Sequence, residues 1–299
     1  MKLEIHKSGP KPGLLPALLL AAALALPGAA LAQVPFASAE AAADAFVDAL
    51  AKKDQPAMKR LLGPTWQELI PPTALAGDNA RLFVQKAGES RKVQVDGQRG
   101  ELVVGADAWP LPIPLQQGSD GQWRFDPSGG RQALLERHIG NNELSAMQAV
   151  LAYLDAQRDY ALADRNGDGL LEYAQKFVSR PGKRDGLIWD PKLGDESPLG
   201  PAFAPAKPGL GYHGYRFRIL TGQGPAAPGG ARSYMIGPRL VSGFAVIAWP
   251  VKYGSSGVMS FIANQAGTIY ERDLGPGTAE AVAAIKVFDP AEGWQPVKP

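Results

Sequence analysis

The stretch "NNELSAMQAVLAYLDAQRDYALADRNGDGLLEY", Asn141 to Tyr173, decides the fold. Leu144, Met147, Leu151 and Leu154 stand three and four residues apart, a spacing that lays one apolar stripe along a helix. That pattern predicts a helix from just after Asn141-Asn142 to about Leu162. It breaks at Asp164, where Asp164, Asn166 and Asp168 alternate, Gly169 follows, and apolar residues resume at Leu170 and Leu171. A long helix that ends in an oxygen-rich loop needs a partner surface for its stripe, and the chain downstream supplies one.

"SRPGKRDGLIWDPKLGDESPLGPAFAPAKPGLGYHGY", Ser179 to Tyr215, carries too many Pro and Gly for regular structure, but enough large apolar residues to be pinned down. Strand patterns follow: Tyr215, Phe217 and Ile219; Phe244, Val246 and Ala248; Met259, Phe261 and Ala263; Ile269 with Glu271. The turn "NQAG" joins the last two. Helix, ordered loop and antiparallel strands in that order predict one helix laid on a sheet.

Upstream, Ser38 can cap a helix carrying Ala39, Ala42, Phe46, Val47 and Leu50, and Asp54 a shorter one ending near Leu62. The period then becomes two, at Val93 and Val95, Leu102 and Val104, Leu111, Ile113 and Leu115, and Trp123 and Phe125. Turns are signalled at Asp96-Gly97 and Asp120-Gly121. Pro110, Pro112 and Pro114 predict that their segment is an edge strand, because proline cannot donate into a ladder on both sides. A domain boundary is expected near residues 138 to 141. The divisions are a leader over 1–32, an α+β domain over 33–138, and an α+β domain over 139–299 that holds the loop 164–175.

The N-terminus reads as a signal peptide. Lys2, Lys7 and Lys11 precede the apolar run Leu14 to Leu26, and Ala30-Leu31-Ala32 offers the small residues a signal peptidase needs, with cleavage expected before Gln33. The run is shorter than the roughly 18 to 20 residues of a membrane span. The expected product is a periplasmic or secreted protein with no transmembrane anchor after cleavage. The chain has no cysteine, so neither a lipid-modified cysteine nor a disulfide holds it. Of 31 Lys+Arg and 29 Asp+Glu, the leader takes three and one, leaving 28 of each. A neutral chain without a basic run gives no reason to expect nucleic acid as a partner.

Two further likenesses rest on the order of elements. Paired helices followed by a curved antiparallel sheet ending in "GQWRFD" resemble the nuclear-transport-factor-2-like cone. The helix at Asn141 with "GYRFRI", "FAVIAWPVKYGSSGVMSF" and "GTIYERDLG" is similar to the globular headpiece of type II secretion pseudopilins, some of which hold calcium in a loop. The chain lacks the hydrophobic first half of the pilin helix, so a reused headpiece fold is implied, not a fibre subunit. Taken together, "ADRNGDGLLEYAQKF", "PGKRDGLIW", "ESPLGP" and "GYHGYRFRILTGQGPAAPGGARSY" resemble the bacterial family catalogued as domain of unknown function 2950. That resemblance implies an exported protein and brings no catalytic residues with it.

Calcium takes six to eight oxygens, which a helix-loop-helix loop supplies from positions 1, 3, 5, 7 and 12 around a glycine at 6. Counted from Asp164, these places fall on Asp164, Asn166, Asp168, the Leu170 carbonyl and Gln175, with Gly169 at 6 and Glu172 at 9. Gln175 stands where a bidentate Glu is expected. Either Glu172 reaches the ion directly, or Asp159, Asp185 or Asp195 completes the shell. The same residues also suit an Asx-rich turn with no ion. The expectation is a structural calcium site.

Enzyme chemistry has fewer footholds. His138 and His213 lie far apart and show no metal-binding spacing. Asp185, Asp190, Asp195 and Glu196 could in principle pair for glycoside hydrolysis. The expected function is an exported, non-catalytic envelope protein, a calcium-stabilised binding or scaffolding module for an envelope protein or glycan. The alternative is an envelope glycan hydrolase using loop carboxylates.

Overall fold

The computed structural model describes residues 33–200, 203 and 211–298. The expected leader lies outside them. The chain opens with α1 (Ala39–Lys52) and α2 (Gln55–Leu62). Both begin where the sequence placed their caps: Ser38 accepts from the Ala41 amide at 3.1 Å, and Asp54 from Ala57 at 2.9 Å. Three helices not anticipated follow, α3 (Trp66–Leu69), α4 (Pro72–Leu75) and α5 (Asp78–Glu89). α5 buries only Phe83 and Ala87, a stripe too narrow for its period to stand out.

The first sheet contains β1 (Arg91–Asp96), β2 (Arg99–Val104), β3 (Trp109–Pro110), β4 (Leu115–Gln117) and β5 (Trp123–Phe125), in the order β1-β2-β4-β5 with β3 also on β2. The proline segment is not one edge strand. It pairs briefly at Trp109 and Pro110, leaves the ladder, and rejoins at Leu115, which sits between β2 and β5. Three alternating prolines remove too many donors for continuous pairing. Phe46, Met58, Leu102, Ile113 and Leu115 are fully buried beneath this sheet, so side chains fill its interior.

The helix expected to start after Asn142 starts much earlier, at Pro127. α6 runs from Pro127 to Tyr160, 34 residues, capped by Asp126. Its first half has no apolar stripe because close packing there uses glycine: a Cβ on Gly130 would press on Ile113 and Leu69 at 3.2 and 3.3 Å. The boundary expected at 138–141 therefore falls inside a continuous helix. Leu134 packs on the first core, while Ala146, Val150, Tyr153, Leu154 and Tyr160 belong to a second.

That second core lies against a sheet built from β6 (Tyr215–Leu220) and later strands. Between them come four short strands in two pairs: β7 (Gly222–Gln223) pairs with β8 (Arg232–Ser233), and β9 (Met235–Ile236) with β10 (Arg239–Leu240). β11 (Ala245–Pro250), β12 (Met259–Asn264), β13 (Ile269–Asp273), α7 (Thr278–Ala284) and β14 (Gln295–Val297) complete the chain, and the sheet order is β14-β13-β12-β11-β6, all antiparallel. α6 is fastened to the sheet by polar contacts as well as apolar ones. Glu143 accepts from the Val258 and Met259 amides at 2.9 and 3.0 Å, and the Tyr153 hydroxyl donates to the Ala245 carbonyl at 3.1 Å. The architecture is α+β. Among the described residues no helix is long and apolar enough to cross a membrane.

Candidate functional site

The oxygen-rich loop begins four residues after α6 ends, at Asp164, and it is folded around its own backbone. Asp164 accepts from the amides of Gly167 at 2.7 Å, Asp168 at 3.2 Å and Gly169 at 2.8 Å. Gly167 and Gly169 both have positive φ, 77° and 84°, which lets the chain turn tightly enough to present those amides. These bonds, the Gly169 amide foremost, hold the Asp164 carboxyl below its usual range.

Asn166 accepts from the Asp168 amide at 3.1 Å, which fixes its amide group so that its nitrogen faces two carboxylates. That nitrogen donates to Glu172 at 2.7 Å and to Asp168 at 3.3 Å. The fold thus brings Asn166, Asp168 and Glu172 together, and of the candidate completing acids it is Glu172 that joins them. Gln175 does not: it donates to the Pro238 carbonyl at 2.8 Å instead. The Leu170 side chain is exposed.

A residue with no signal in the sequence completes the cluster. Arg239, on β10, donates to Asp168 at 2.8 and 3.1 Å and stands 4.0 Å from Glu172. The Arg239 bond lowers the Asp168 pKa, while burial, then the Asp168 charge, raises that of Glu172. Tyr173 donates its amide to the Leu240 carbonyl at 2.7 Å, so the loop is sewn to the β9–β10 hairpin on both sides of the ion pair. The oxygens are of the hard type that calcium prefers, and three carboxylates against one guanidinium leave negative charge uncompensated. As arranged, the carboxylates serve amides and Arg239. Among the described residues no three His, Asp or Glu groups form a ready metal cage.

The other candidate acids are tied down separately. Asp185 pairs with Lys176 at 2.5 Å and with the Arg180 side chain at 2.7 Å and amide at 2.9 Å. Burial pushes its carboxyl up, but these partners outweigh that and hold it well below the usual range. Asp195 lies between Arg184 at 2.5 Å and Arg165 at 3.5 Å. Arg165 also stands 3.7 Å from Asp159. Asp190 caps a single 3₁₀ turn at Pro191–Leu193, and Glu196 is exposed. General acids need a raised pKa, so Asp185 is poorly placed for that role. His213 takes φ 46° beside Gly214 at 72°, forming the two-residue turn between Tyr212 and Tyr215. His138 contacts Asn142 at 3.1 Å within α6. The two histidines occupy separate structural roles.

A second feature lay outside the reach of sequence spacing. Where the irregular segment meets β6 there is a cleft of about 340 Å³, lined by Phe177, Phe203, Tyr212, Phe217, Arg216 and Trp249 among others. Phe203 stacks between Phe177, 5.7 Å away at 16°, and Tyr212, 5.0 Å away at 22°. These aromatics come from three separate parts of the chain, so no local pattern could announce them.

An α+β protein with two cores sharing one helix is the class the fold defines. Residues 33–297 match the model of the family described as "Protein of unknown function (DUF2950)", and the chain belongs to that family. No curated protein and no solved structure matches it. The likenesses to a nuclear-transport-factor-2-like cone and to a pilin headpiece rest on element order alone.

Proposed function

We propose that this is an exported, non-catalytic envelope protein that acts as a binding or scaffolding module, with the 164–172 loop as a calcium-stabilised brace. The observation that carries the reading is the convergence of Asn166, Asp168 and Glu172 at the end of α6, where Asp168 and Tyr173 also grip the β9–β10 hairpin. A brace there fixes the irregular segment that forms one wall of the aromatic cleft. Asp164, Asn166, Asp168, the Leu170 carbonyl and Glu172 would hold the ion. Because Arg239 already neutralises part of the loop, calcium binding is weak, in the millimolar range typical of extracellular modules, roughly 10⁻⁴ to 10⁻³ M.

The non-catalytic part rests on the cleft itself, whose lining among the described residues is largely aromatic, with Arg216 as its charged member and no pair of acids. The test uses the mature protein. Calcium at millimolar concentration raises its melting temperature, and peptidoglycan or glycan oligomers incubated with it gain no new reducing ends. A melting point indifferent to calcium refutes the brace, and release of reducing ends refutes the non-catalytic reading.

A further inference from the structure

Among the described residues β6 is the last strand of the second sheet, and its Tyr215, Arg216 and Phe217 line the aromatic cleft. The register shows which backbone groups point outward. Tyr215 exchanges both of its hydrogen bonds with Tyr212, at 3.0 and 2.8 Å, on the side away from β11. In an antiparallel ladder the pointing alternates, so Phe217 and Ile219 direct their N–H and C=O groups outward as well. Beyond them the Thr221 carbonyl accepts from the Tyr234 amide at 2.9 Å. Among the described residues the outward groups of Phe217 and Ile219 have no backbone partner. The open edge is therefore a short slot, closed at one end by the Tyr212–Tyr215 turn and at the other by Tyr234.

The opposite wall has the same character. The Phe177 carbonyl accepts from Ile188 and the Ser179 amide donates to Ile188, both at 2.8 Å, so the backbone groups of Val178 point away from Ile188, and Val178 lines the cleft. Alternating donors and acceptors along an edge are complemented by one thing, another extended backbone. The walls add selectivity: Phe177, Phe203 and Phe217 pack together at 5.1 to 6.3 Å and offer an apolar seat for one side chain.

We propose that β6 is a strand-addition site for an extended peptide segment of a partner protein. The segment pairs with Phe217 and Ile219 and places an aliphatic or aromatic side chain against Phe177 and Phe203. This rests on the binding-module reading above and names the partner class.

The probe is an end-capped heptapeptide of alternating threonine and valine with a central phenylalanine, added to the mature protein while backbone amide exchange is followed by NMR. Saturating peptide slows exchange of the Phe217 and Ile219 amides at least tenfold. Ile219→Pro removes one outward N–H without touching the β11 ladder, so the variant folds, keeps the parent's spectrum elsewhere, and binds the peptide at least tenfold more weakly. No protection at millimolar peptide overturns the proposal. Amide protection that grows with protein concentration alone assigns the edge to a second copy and also overturns it. If glycan oligomers, not the peptide, shift the cleft aromatics, the site is a stacking platform; strand addition then fails while the binding-module reading stands.

Discussion

Replacing Gln157 with leucine tests whether the segment after α6 is held by buried backbone hydrogen bonds. Gln157 is fully buried on α6 and bridges both polar groups of Ala174: its amide nitrogen donates to the Ala174 carbonyl at 2.8 Å, and its oxygen accepts from the Ala174 amide at 2.8 Å. The same nitrogen reaches the Tyr153 hydroxyl at 2.9 Å. Ala174 is itself buried, so leucine leaves an amide and a carbonyl without partners or water. Each orphaned group costs about 1–3 kcal/mol, hence about 2–6 kcal/mol for the pair. Burying the leucine side chain returns about 1–2 kcal/mol. The difference is a net loss of about 0–5 kcal/mol, centred at about 2.5 kcal/mol, and the central value lowers the melting temperature of a chain this size by roughly 5–10 °C. The assay is calorimetry or urea unfolding of Gln157→Leu and the parent, each with calcium and with chelator. Because this bridge contains no ion, the loss is the same in both conditions. A variant as stable as the parent, or more stable, would show that the bridge does not hold the segment and would refute the reasoning.

With a dissociation constant of roughly 10⁻⁴ to 10⁻³ M, 10 mM calcium stabilises the native state by about 1.4–2.7 kcal/mol, a melting rise of roughly 3–10 °C. Glu172→Gln removes a ligand, so that rise falls to under a third, while the chelated protein at pH 7 becomes more stable. The sign follows from the raised Glu172 pKa: its ionised form is disfavoured in the folded state, and the disadvantage fades as pH drops through the folded value. A melting series from pH 7 to pH 4 reads this as a shrinking gap between parent and variant. Asp185→Asn behaves oppositely, because the Asp185 pKa is lowered: its ion pairs stabilise above the unfolded value near 3.8 and are lost as pH falls below it. The variant is less stable than the parent at pH 7, and the two converge in acid; a constant gap would contradict the assignment. Gly257→Ala places a methyl on the Tyr215 hydroxyl, which donates to the Met259 carbonyl at 2.8 Å in the core. Overpacking of this kind costs about 1–3 kcal/mol, measurable by urea unfolding, and an unchanged midpoint would show that the strand yields freely.

Local chemistry determined much of this protein from its sequence. Ser38 and Asp54 marked real helix starts because a cap needs only its own next few residues. Val246, Ala248, Met259 and Phe261 marked real strands because both faces of that sheet bury apolar side chains. Asp164 with Gly167 and Gly169 marked a tight oxygen-lined loop, since the turn is made by neighbours in the chain. The start of α6 was hidden because its first turns pack through Gly130 against Ile113 and Leu69, a demand that exists only once the first sheet is in place. Gln175 seemed a ligand by position, but Pro238 lies within its reach and takes its hydrogen bond. Arg239 and the stack of Phe177, Phe203 and Tyr212 are meetings of distant segments, and no periodicity records them. Spacing along the chain decides helices, strands and turns because their hydrogen bonds are short in sequence. Which side chains converge on a charge or a cleft is decided by tertiary packing, which alone brings residue 168 to residue 239.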